Sequence, residues 1–168
     1  MSKILIVYYS LTGSTRFIAE CLNESLETEK LELKPVKELN PDKGTKFMWG
    51  GAQSTMKKKP ELEPIEINPV EYDLIIIGTP VWAWNFTPPV RSFLSMFDFT
   101  DKKVALWTCS AGSGNRAMGK LKDELKNANI IGHIQFQFKF KDPLDQDLTD
   151  FKMRTKEWAS ELLEKLKL

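Results

Sequence analysis

Three nearly continuous apolar runs dominate the hydrophobic pattern of the chain and predict strands that are buried on both faces. They are KILIVYY, YDLIIIG and KVALWTC, at residues 3–9, 72–78 and 103–109. Continuous runs of this kind are typical of a parallel sheet covered by helices on both sides. Two further runs, residues 31–36 and 130–140, predict two more strands. The last one contains HIQFQFKF, in which apolar and polar residues alternate strictly. This alternation indicates that one face of the strand is more exposed to solvent than the other, as at a sheet edge.

Helical periodicities lie between these strands. Ile18, Leu22 and Leu26 recur at a spacing of four on a helix predicted over residues 13–27. Three further amphipathic helices are predicted from Val90, Phe93, Leu94 and Phe97, from Met118, Leu121 and Leu125, and from Phe151, Trp158, Leu162 and Leu166. The alternation predicts a single α/β domain over residues 1–168, a three-layer α/β/α sandwich around a five-stranded parallel sheet.

Residues 40–71 interrupt this regular alternation. They contain FMWGGAQSTMKKK followed by three prolines. Because a structureless loop of this length is uncommon in a compact domain, a short helix is expected within residues 42–58, followed by an extended return. The lysine run at residues 57–59 is expected to be a solvated face. Trp49, Gly50 and Gly51 are candidates for the rim of a ligand site, the alternative being a core tryptophan followed by a turn.

Composition excludes several classes of function. The chain has 24 Lys and Arg against 23 Asp and Glu, a net charge of +1, which indicates no nucleic acid partner. Cys21 and Cys109 stand apart and form no CxxC motif, so neither a disulfide framework nor a zinc site is indicated. The single histidine, His133, lies in the alternating run and is expected to be structural. No apolar stretch approaches the ~20 residues of a membrane span, so no membrane association is expected. The expected location of the protein is the cytoplasm.

Unusual segments follow each of the three buried strands. They are SLTGST at residues 10–15, TPVWAWNFTPP at residues 79–89 and TCSAGSGN at residues 108–115. In an open parallel sheet, ligands bind beyond the carboxyl ends of the strands. The three segments are therefore expected to meet at one ligand site.

SLTGST has the features of an anion site without a cation. A helix that begins near Gly13 directs its first backbone N–H groups and the positive end of its dipole at a ligand, and four hydroxyl side chains surround the glycine. The alternative is a Ser/Thr helix cap with no ligand. The lysine of a Walker A loop is absent, and Ser10 and Gly78 stand where a response-regulator receiver needs acidic residues. The segment therefore predicts a phosphate that is held and not transferred, such as the tail of a cofactor.

The other two segments predict the surroundings of a flat ligand. Trp82, Trp84 and Phe86 alternate between flanking prolines, which indicates a rigid wall on which a conjugated ring stacks, or alternatively a cap on the core. TCSAGSGN has small side chains that bring backbone groups close to a ligand edge, and Asn115 or Ser113 is expected to cap the next helix.

These motifs together resemble the flavodoxin family. IVYYSLTGST matches the pattern (I/V)xYxSxTGxT of the family's phosphate-binding loop for flavin mononucleotide (FMN). GTPVWAWNFTPPVRSFL is similar to the first loop that flanks the isoalloxazine ring, and TCSAGSG is similar to the second. The resemblance covers nearly the whole chain. It implies a flavodoxin-like fold with strand order 2-1-3-4-5 and one noncovalently bound FMN.

Carried over by position, the resemblance implies three sets of FMN-binding residues. The phosphate would be held by Ser10, Leu11, Thr12, Gly13, Ser14 and Thr15. One side of the ring would be lined by Pro80, Val81, Trp82, Ala83, Trp84 and Asn85, with Trp82 or Trp84 as the stacking partner. The pyrimidine side would be lined by Thr108, Cys109, Ser110, Ala111, Gly112 and Gly114. The resemblance assigns no catalytic residue and no metal ligand.

Two departures from the family pattern affect the expected mechanism. Many small flavodoxins place a tyrosine in the second ring loop and a glycine in the first, where the glycine peptide flips to bond the N5 atom of the one-electron-reduced flavin. Here residues 108–115 contain no aromatic side chain and residues 79–89 contain no glycine. Because other residues resist a positive φ, this route is expected to be impaired. PVWxxxxxPPVxxFL is closer to flavodoxin-like quinone and FMN reductases, which move electrons in pairs.

Two hypotheses of function therefore stand side by side. In one, the chain is an electron carrier that serves a redox partner protein. In the other, it is an NAD(P)H-dependent reductase of a quinone or another small-molecule acceptor. The near-neutral net charge gives no support to electrostatic docking on a basic partner. A third hypothesis, an interaction domain without cofactor, is disfavoured by the intact hydroxyl loop. The sequence does not predict the oligomeric state.

Overall fold

Strands and helices alternate in the order that the hydrophobic pattern predicts. The computed structural model describes residues 1–38, 52 and 57–167. The strands are β1 (Ile4–Tyr8), β2 (Thr28–Glu32), β3 (Leu74–Trp82), β4 (Asn85–Phe86), β5 (Lys103–Ser110) and β6 (Asn129–Gln137). The helices are α1 (Ser14–Ser25), α2 (Pro88–Met96), α3 (Asn115–Glu124) and α4 (Thr149–Leu166), with a 3₁₀ helix at Pro69–Glu71. The helix expected within residues 42–58 falls mainly outside the described residues, as do Trp49, Gly50 and Gly51.

Five strands form one parallel sheet in the order β2-β1-β3-β5-β6. The two-residue strand β4 lies off this path and pairs antiparallel with the end of β3. If β4 is set aside as a hairpin, the order is the predicted 2-1-3-4-5. The alternating strand β6 is at an edge of the sheet, as its pattern indicates.

The core lies in two layers, one on each face of the sheet. Successive residues of β1 point to opposite faces, with Ile6 in one hydrophobic cluster and Val7 in the other. Residues of α1 and α4 complete the first cluster, and residues of α2 and α3 complete the second. Each large aliphatic side chain buried in this way contributes about 1.5–3 kcal/mol to the free energy of unfolding. The three-layer sandwich predicted from the sequence is confirmed.

The second predicted strand was placed too late in the chain. The pattern predicts it at residues 31–36, whereas β2 ends at Glu32. Because β2 is an edge strand, it does not need a continuous apolar run, and Glu29 and Lys30 are exposed within it. The buried Leu33 still donates its N–H to the carbonyl of Tyr8 at 2.7 Å, but the chain then reaches Pro35, which has no N–H to donate.

The third strand continues beyond its predicted end. The pattern ends it at Gly78, whereas β3 continues to Trp82 and turns back into β4. Gly78 is required by packing, because a Cβ atom there would lie 2.0 Å from the indole ring of Trp107. The first half of the predicted loop 79–89 is thus a hairpin built on the sheet.

Candidate functional site

A cleft of about 270 Å³ opens at the carboxyl ends of the parallel strands. It lies where the sequence places its three unusual segments, and each of them contributes to its lining. Residues 10–15, 79–89 and 108–115 include the last residues of β3 and β5 and are called here the segments after β1, β3 and β5. They provide Leu11, Thr12, Ser14, Thr15, Pro80, Val81, Trp82, Ala83, Cys109, Ser110 and Ala111. The topology therefore brings together most of the predicted cofactor residues.

The segment after β1 presents hydrogen-bond donors to the cleft. Gly13 adopts a φ of 102°, a left-handed conformation that suits glycine, and α1 begins at the next residue. Ser10 does not line the cleft, and its Oγ accepts the Arg16 N–H at 3.2 Å. The backbone N–H groups of residues 12–15 have no hydrogen-bond acceptor among the described residues. These donors and the helix dipole together favour an anion.

The hydroxyl group of Thr15 is the most informative side chain of this segment. The residue is fully buried (0% exposed), and Oγ1 has no hydrogen bond to a described nitrogen or oxygen atom. Oγ1 lies beside the thiol of Cys109, and sulfur is only a weak acceptor. A buried hydroxyl without a good partner costs about 1–3 kcal/mol. Because Thr15 also lines the cleft, this geometry fits a bound oxygen-rich anion.

The segment after β3 is a strained hairpin. Val81 pairs with Phe86 and Trp82 pairs with Asn85, so the turn consists of Ala83 and Trp84 alone. Their φ angles are 47° and 58°, as a type I′ turn requires. A left-handed conformation costs a residue with a Cβ about 1–2 kcal/mol. The two residues adopt positive φ although neither is glycine, because strand pairing on both sides enforces the turn. Whether a peptide of this turn flips toward a reduced flavin stays a prediction.

Buried polar contacts hold the base of the hairpin. The Oγ1 atom of Thr79 accepts the N–H of Thr87 at 3.0 Å. Arg91 is buried, stacks over the ring of Phe86 at 4.1 Å and bonds Glu124 at 2.8 Å. An N–H of Arg91 also reaches the side-chain oxygen of Asn85 at 3.4 Å. The Asn85 side chain thus faces the protein interior.

The two candidate tryptophans have different positions. Trp82 lines the cleft and packs edge-on against the ring of Tyr9, with ring centroids 5.5 Å apart. The hydroxyl of Tyr9 donates to Glu38 at 2.7 Å, and burial together with this bond raises the pKa of Tyr9. Trp84 at the tip of the turn is 65% exposed and does not line the cleft. Of the two tryptophans, only Trp82 therefore lines the cleft.

The segment after β5 contributes a short wall of small side chains. Cys109, Ser110 and Ala111 line the cleft. Burial raises the pKa of the Cys109 thiol to about 12, although its contacts with Thr15 and Trp107 act in the opposite direction. The thiol is therefore protonated near neutral pH, which makes it a poor nucleophile.

The rest of this segment supports the wall from outside the cleft. Ser110 Oγ donates to the carbonyl of Gly112 at 2.6 Å. A Cβ on Gly114 would lie 2.8 Å from Thr108 Oγ1, a buried atom without a described hydrogen-bond partner. Asn115 is the first residue of α3, and its N–H lies 3.3 Å from Ser113 Oγ. The predicted site residues absent from the cleft lining are Ser10, Gly13, Trp84, Asn85, Thr108, Gly112 and Gly114.

A fourth segment, which sequence reasoning missed, completes the cleft. Phe138, Lys139, Phe140 and Pro143 line it from the loop after β6. The ring of Phe138 stacks on Phe151 of α4, with centroids 4.4 Å apart. The available signal was the alternation of HIQFQFKF, which continues past the last residue of β6. Two aromatic side chains of the cleft lining, Phe138 and Phe140, thus come from the segment after β6.

The single histidine lies away from the cleft, and the described residues contain neither a metal site nor a membrane-spanning helix. His133 Nε2 is 3.3 Å from Lys122 Nζ in a separate surface groove. Burial, followed by the charges of Lys122 and Lys165, lowers the pKa of His133. Within the described ranges, no group of His, Cys, Asp and Glu could hold a metal ion. In the same ranges, no helix is both long and apolar enough to cross a membrane.

Comparisons with known proteins agree with this geometry. The model of the family described as Flavodoxin matches residues 3–139. A flavoprotein from Lactobacillus acidophilus NCFM, crystallised in complex with FMN, is 28% identical with a TM-score of 0.71, over 80% of this chain and 93% of that chain. A candidate flavoprotein from Bacteroides eggerthii is 21% identical with a TM-score of 0.76, over 95% and 97% of the two chains.

A third similar structure has the same fold over nearly its full length. Oxidised flavodoxin 2 from Bacillus cereus is 19% identical with a TM-score of 0.62, over 98% of this chain and 99% of that chain. At this level of identity the likeness concerns the fold alone. The family model, in contrast, matches most of the sequence and includes the segments after β1, β3 and β5. The chain therefore belongs to the flavodoxin family.

Proposed function

We propose that this chain binds one FMN noncovalently in the cleft and transfers electrons through it. The observation that carries the proposal is the set of donors after β1. They are the N–H groups of residues 12–15, which have no acceptor in the described residues, and the buried Oγ1 of Thr15, which has no nitrogen or oxygen partner there. A phosphate monoester supplies acceptors for all of them. The FMN bound to the Lactobacillus acidophilus relative supports the same ligand.

The lining residues are assigned to the parts of FMN by the segment of the chain to which they belong. Thr12, Ser14 and Thr15 would hold the phosphate. Trp82 and its neighbours in the hairpin would lie on one side of the ring, and Ser110 and Ala111 would lie on the other. An aromatic contact of the Trp82 kind contributes about 0.5–1.5 kcal/mol beyond burial. The remaining predicted residues, such as Ser10 and Asn85, would act by supporting these groups.

The residues of this chain would orient the flavin and shield it from water, while the isoalloxazine ring itself would supply the redox chemistry. The cleft contains no histidine among its described lining residues, and the Cys109 thiol is protonated near neutral pH. We propose no protein group that transfers protons or forms a covalent bond.

The electron carrier is the favoured form of the proposal. One part of the argument for a reductase, the resistance of residues other than glycine to a positive φ, loses support because Ala83 and Trp84 both have positive φ. The loop pattern PVWxxxxxPPVxxFL and the near-neutral net charge still favour the reductase. The partner of the carrier would be a redox protein, and the alternative is an NAD(P)H-dependent reductase of a small-molecule acceptor.

An anaerobic titration separates these forms. The protein is saturated with FMN and titrated with dithionite and, separately, with NADPH while the flavin spectrum is recorded. A carrier is expected to be reduced by dithionite and to react slowly or not at all with NADPH. Rapid bleaching by NADPH alone would establish the reductase, and absence of flavin binding would exclude both forms.

A substitution in the first segment tests the position of the phosphate. Thr12→Asp sets a carboxylate against the phosphate and is expected to abolish FMN binding, whereas Thr12→Ser keeps the hydroxyl and is expected to retain it. Circular dichroism checks that both variants fold. Normal affinity in Thr12→Asp would contradict this placement.

A further inference from the structure

Lys139 is the only charged side chain among the described residues that line the cleft. The lining from the segments after β1, β3 and β5 is uncharged, and it includes no carboxylate. Arg16, the cation nearest in sequence to the hydroxyl segment, is paired with Glu32 on the surface. Any positive charge offered to a ligand by the described lining therefore comes from Lys139.

The loop that carries Lys139 contacts the hydroxyl segment at Gly13. The Nζ atom of Lys139 is 3.4 Å from the carbonyl oxygen of Asp145. The preceding residue, Leu144, packs on the glycine, since a Cβ on Gly13 would lie 3.3 Å from Leu144 Cδ1. Lys139 forms no ion pair with a carboxylate in the described part of the chain. Lys139 is therefore a cation without a carboxylate partner in the described residues, and it lines the same cleft as Thr12, Ser14 and Thr15.

We infer that Lys139 supplies the cation that the hydroxyl segment lacks and thereby selects phosphorylated flavin over riboflavin. The inference rests on the proposed function, since it concerns FMN in the same cleft. A lysine acts on phosphate as a compact point charge, and a dianionic phosphate gains more from it than a neutral ribityl chain does. Because Lys139 is exposed, solvent and salt weaken the attraction, so its effect is expected to be moderate.

Binding measurements with two flavins test the inference. Dissociation constants for FMN and riboflavin are measured by quenching of flavin fluorescence for the wild type, Lys139→Gln and Lys141→Gln, at low and high ionic strength. Lys139→Gln is expected to weaken FMN binding by about threefold to tenfold at low ionic strength and to leave riboflavin binding unchanged. The difference between wild type and Lys139→Gln is expected to shrink at high ionic strength.

Lys141 provides the matched control, because it is an exposed lysine of the same loop that does not line the cleft. Lys141→Gln is expected to leave both dissociation constants unchanged. Lys139→Arg is expected to retain FMN affinity, and Lys139→Glu to lose more than Lys139→Gln.

If Lys139→Gln weakened the binding of FMN and riboflavin equally, or changed neither dissociation constant, the role of Lys139 would be overturned. The proposal that the wild-type chain binds FMN would still stand. A wild-type chain that binds neither flavin would overturn the proposed function itself. The two failures are distinguished by the wild-type measurement alone.

Discussion

At the scale of single residues, Thr15 indicates a compromise between stability and binding. Its hydroxyl is buried beside a thiol and has no good hydrogen-bond partner, although the surrounding core is well packed. A valine has nearly the same shape and lacks the hydroxyl. The sequence therefore carries a polar group here at a position where the flavin-free protein gains little from it.

Thr15→Val is expected to bind FMN about tenfold or more weakly, because a hydrogen bond to a charged group is lost. Its free energy of unfolding without flavin is expected to be unchanged or higher by up to about 1 kcal/mol, since no unpaired hydroxyl is buried. Thr79→Val is the control, because that buried hydroxyl accepts a backbone N–H and its loss should destabilise by about 1–3 kcal/mol. Urea denaturation and flavin fluorescence measure both quantities, and a destabilised Thr15→Val would contradict the interpretation.

Gly13 and Gly119 form a second test at this scale. Gly13→Ala is expected to lower the free energy of unfolding by about 1–2 kcal/mol and to weaken FMN binding, because alanine is strained at a φ of 102°. Gly119 lies on the exposed face of α3, and a Cβ there meets nothing within 4 Å. Gly119→Ala is expected to stabilise by about 0.5–1 kcal/mol without affecting FMN. If the two variants changed the free energy of unfolding equally, the requirement for a left-handed backbone conformation at Gly13 would be refuted.

At the scale of elements, the β3–β4 hairpin keeps its strained turn because its two ends are fixed. The strand pairs Val81–Phe86 and Trp82–Asn85 set the register, and Thr79 and Arg91 hold the base. Two residues without a glycine are then left to close the turn. The strain is consistent with a turn that borders a binding site, where such conformations concentrate.

Ala83→Gly is expected to raise the free energy of unfolding by about 0.5–1 kcal/mol. Relief of the left-handed alanine gains about 1–2 kcal/mol, and the added entropy of the unfolded chain offsets about 0.5–1 kcal/mol of it. Ala111→Gly, in the neighbouring wall at an ordinary φ, has only the entropic cost and should destabilise. Chemical denaturation measures the free energy of unfolding of both variants. A destabilised Ala83→Gly would show that the turn is not strained.

The elements also differ in how far the sequence could predict them. Strands β1, β3 and β5 are buried on both faces, so their apolar runs identified them directly. The exposed strand β2 has no such run, and its limits depend on pairing with β1. The inward direction of Asn85 depends on the register of a hairpin that no local pattern specifies. Phe138, Lys139 and Phe140 were missed as lining residues because their position depends on where β6 leaves the sheet.

At the scale of the whole molecule, close packing around the sheet controls how the protein responds to alkali. Burial raises the pKa of Cys109 from 9.0 to about 12. Burial, together with the charge of Glu32, raises the pKa of Tyr8 from 10.0 to about 12. In the unfolded chain both groups lose their protons at the lower values. Unfolding therefore releases protons in alkaline solution, and stability must fall there.

The free energy of unfolding is expected to be nearly constant between about pH 7.5 and about pH 9 and then to fall as the pH rises toward 12. The stability associated with a raised pKa is fully present below the unfolded value and is lost between the unfolded and folded values. Each group contributes a slope of up to about 1.4 kcal/mol per pH unit. Cys109→Ser is expected to reduce the slope from pH 9 onward, whereas Tyr8→Phe is expected to change it only above pH 10, because the two unfolded values differ. Urea denaturation at successive pH values measures these slopes, and a flat profile between pH 9 and 11 in the wild type would show that neither group retains its proton in the folded state.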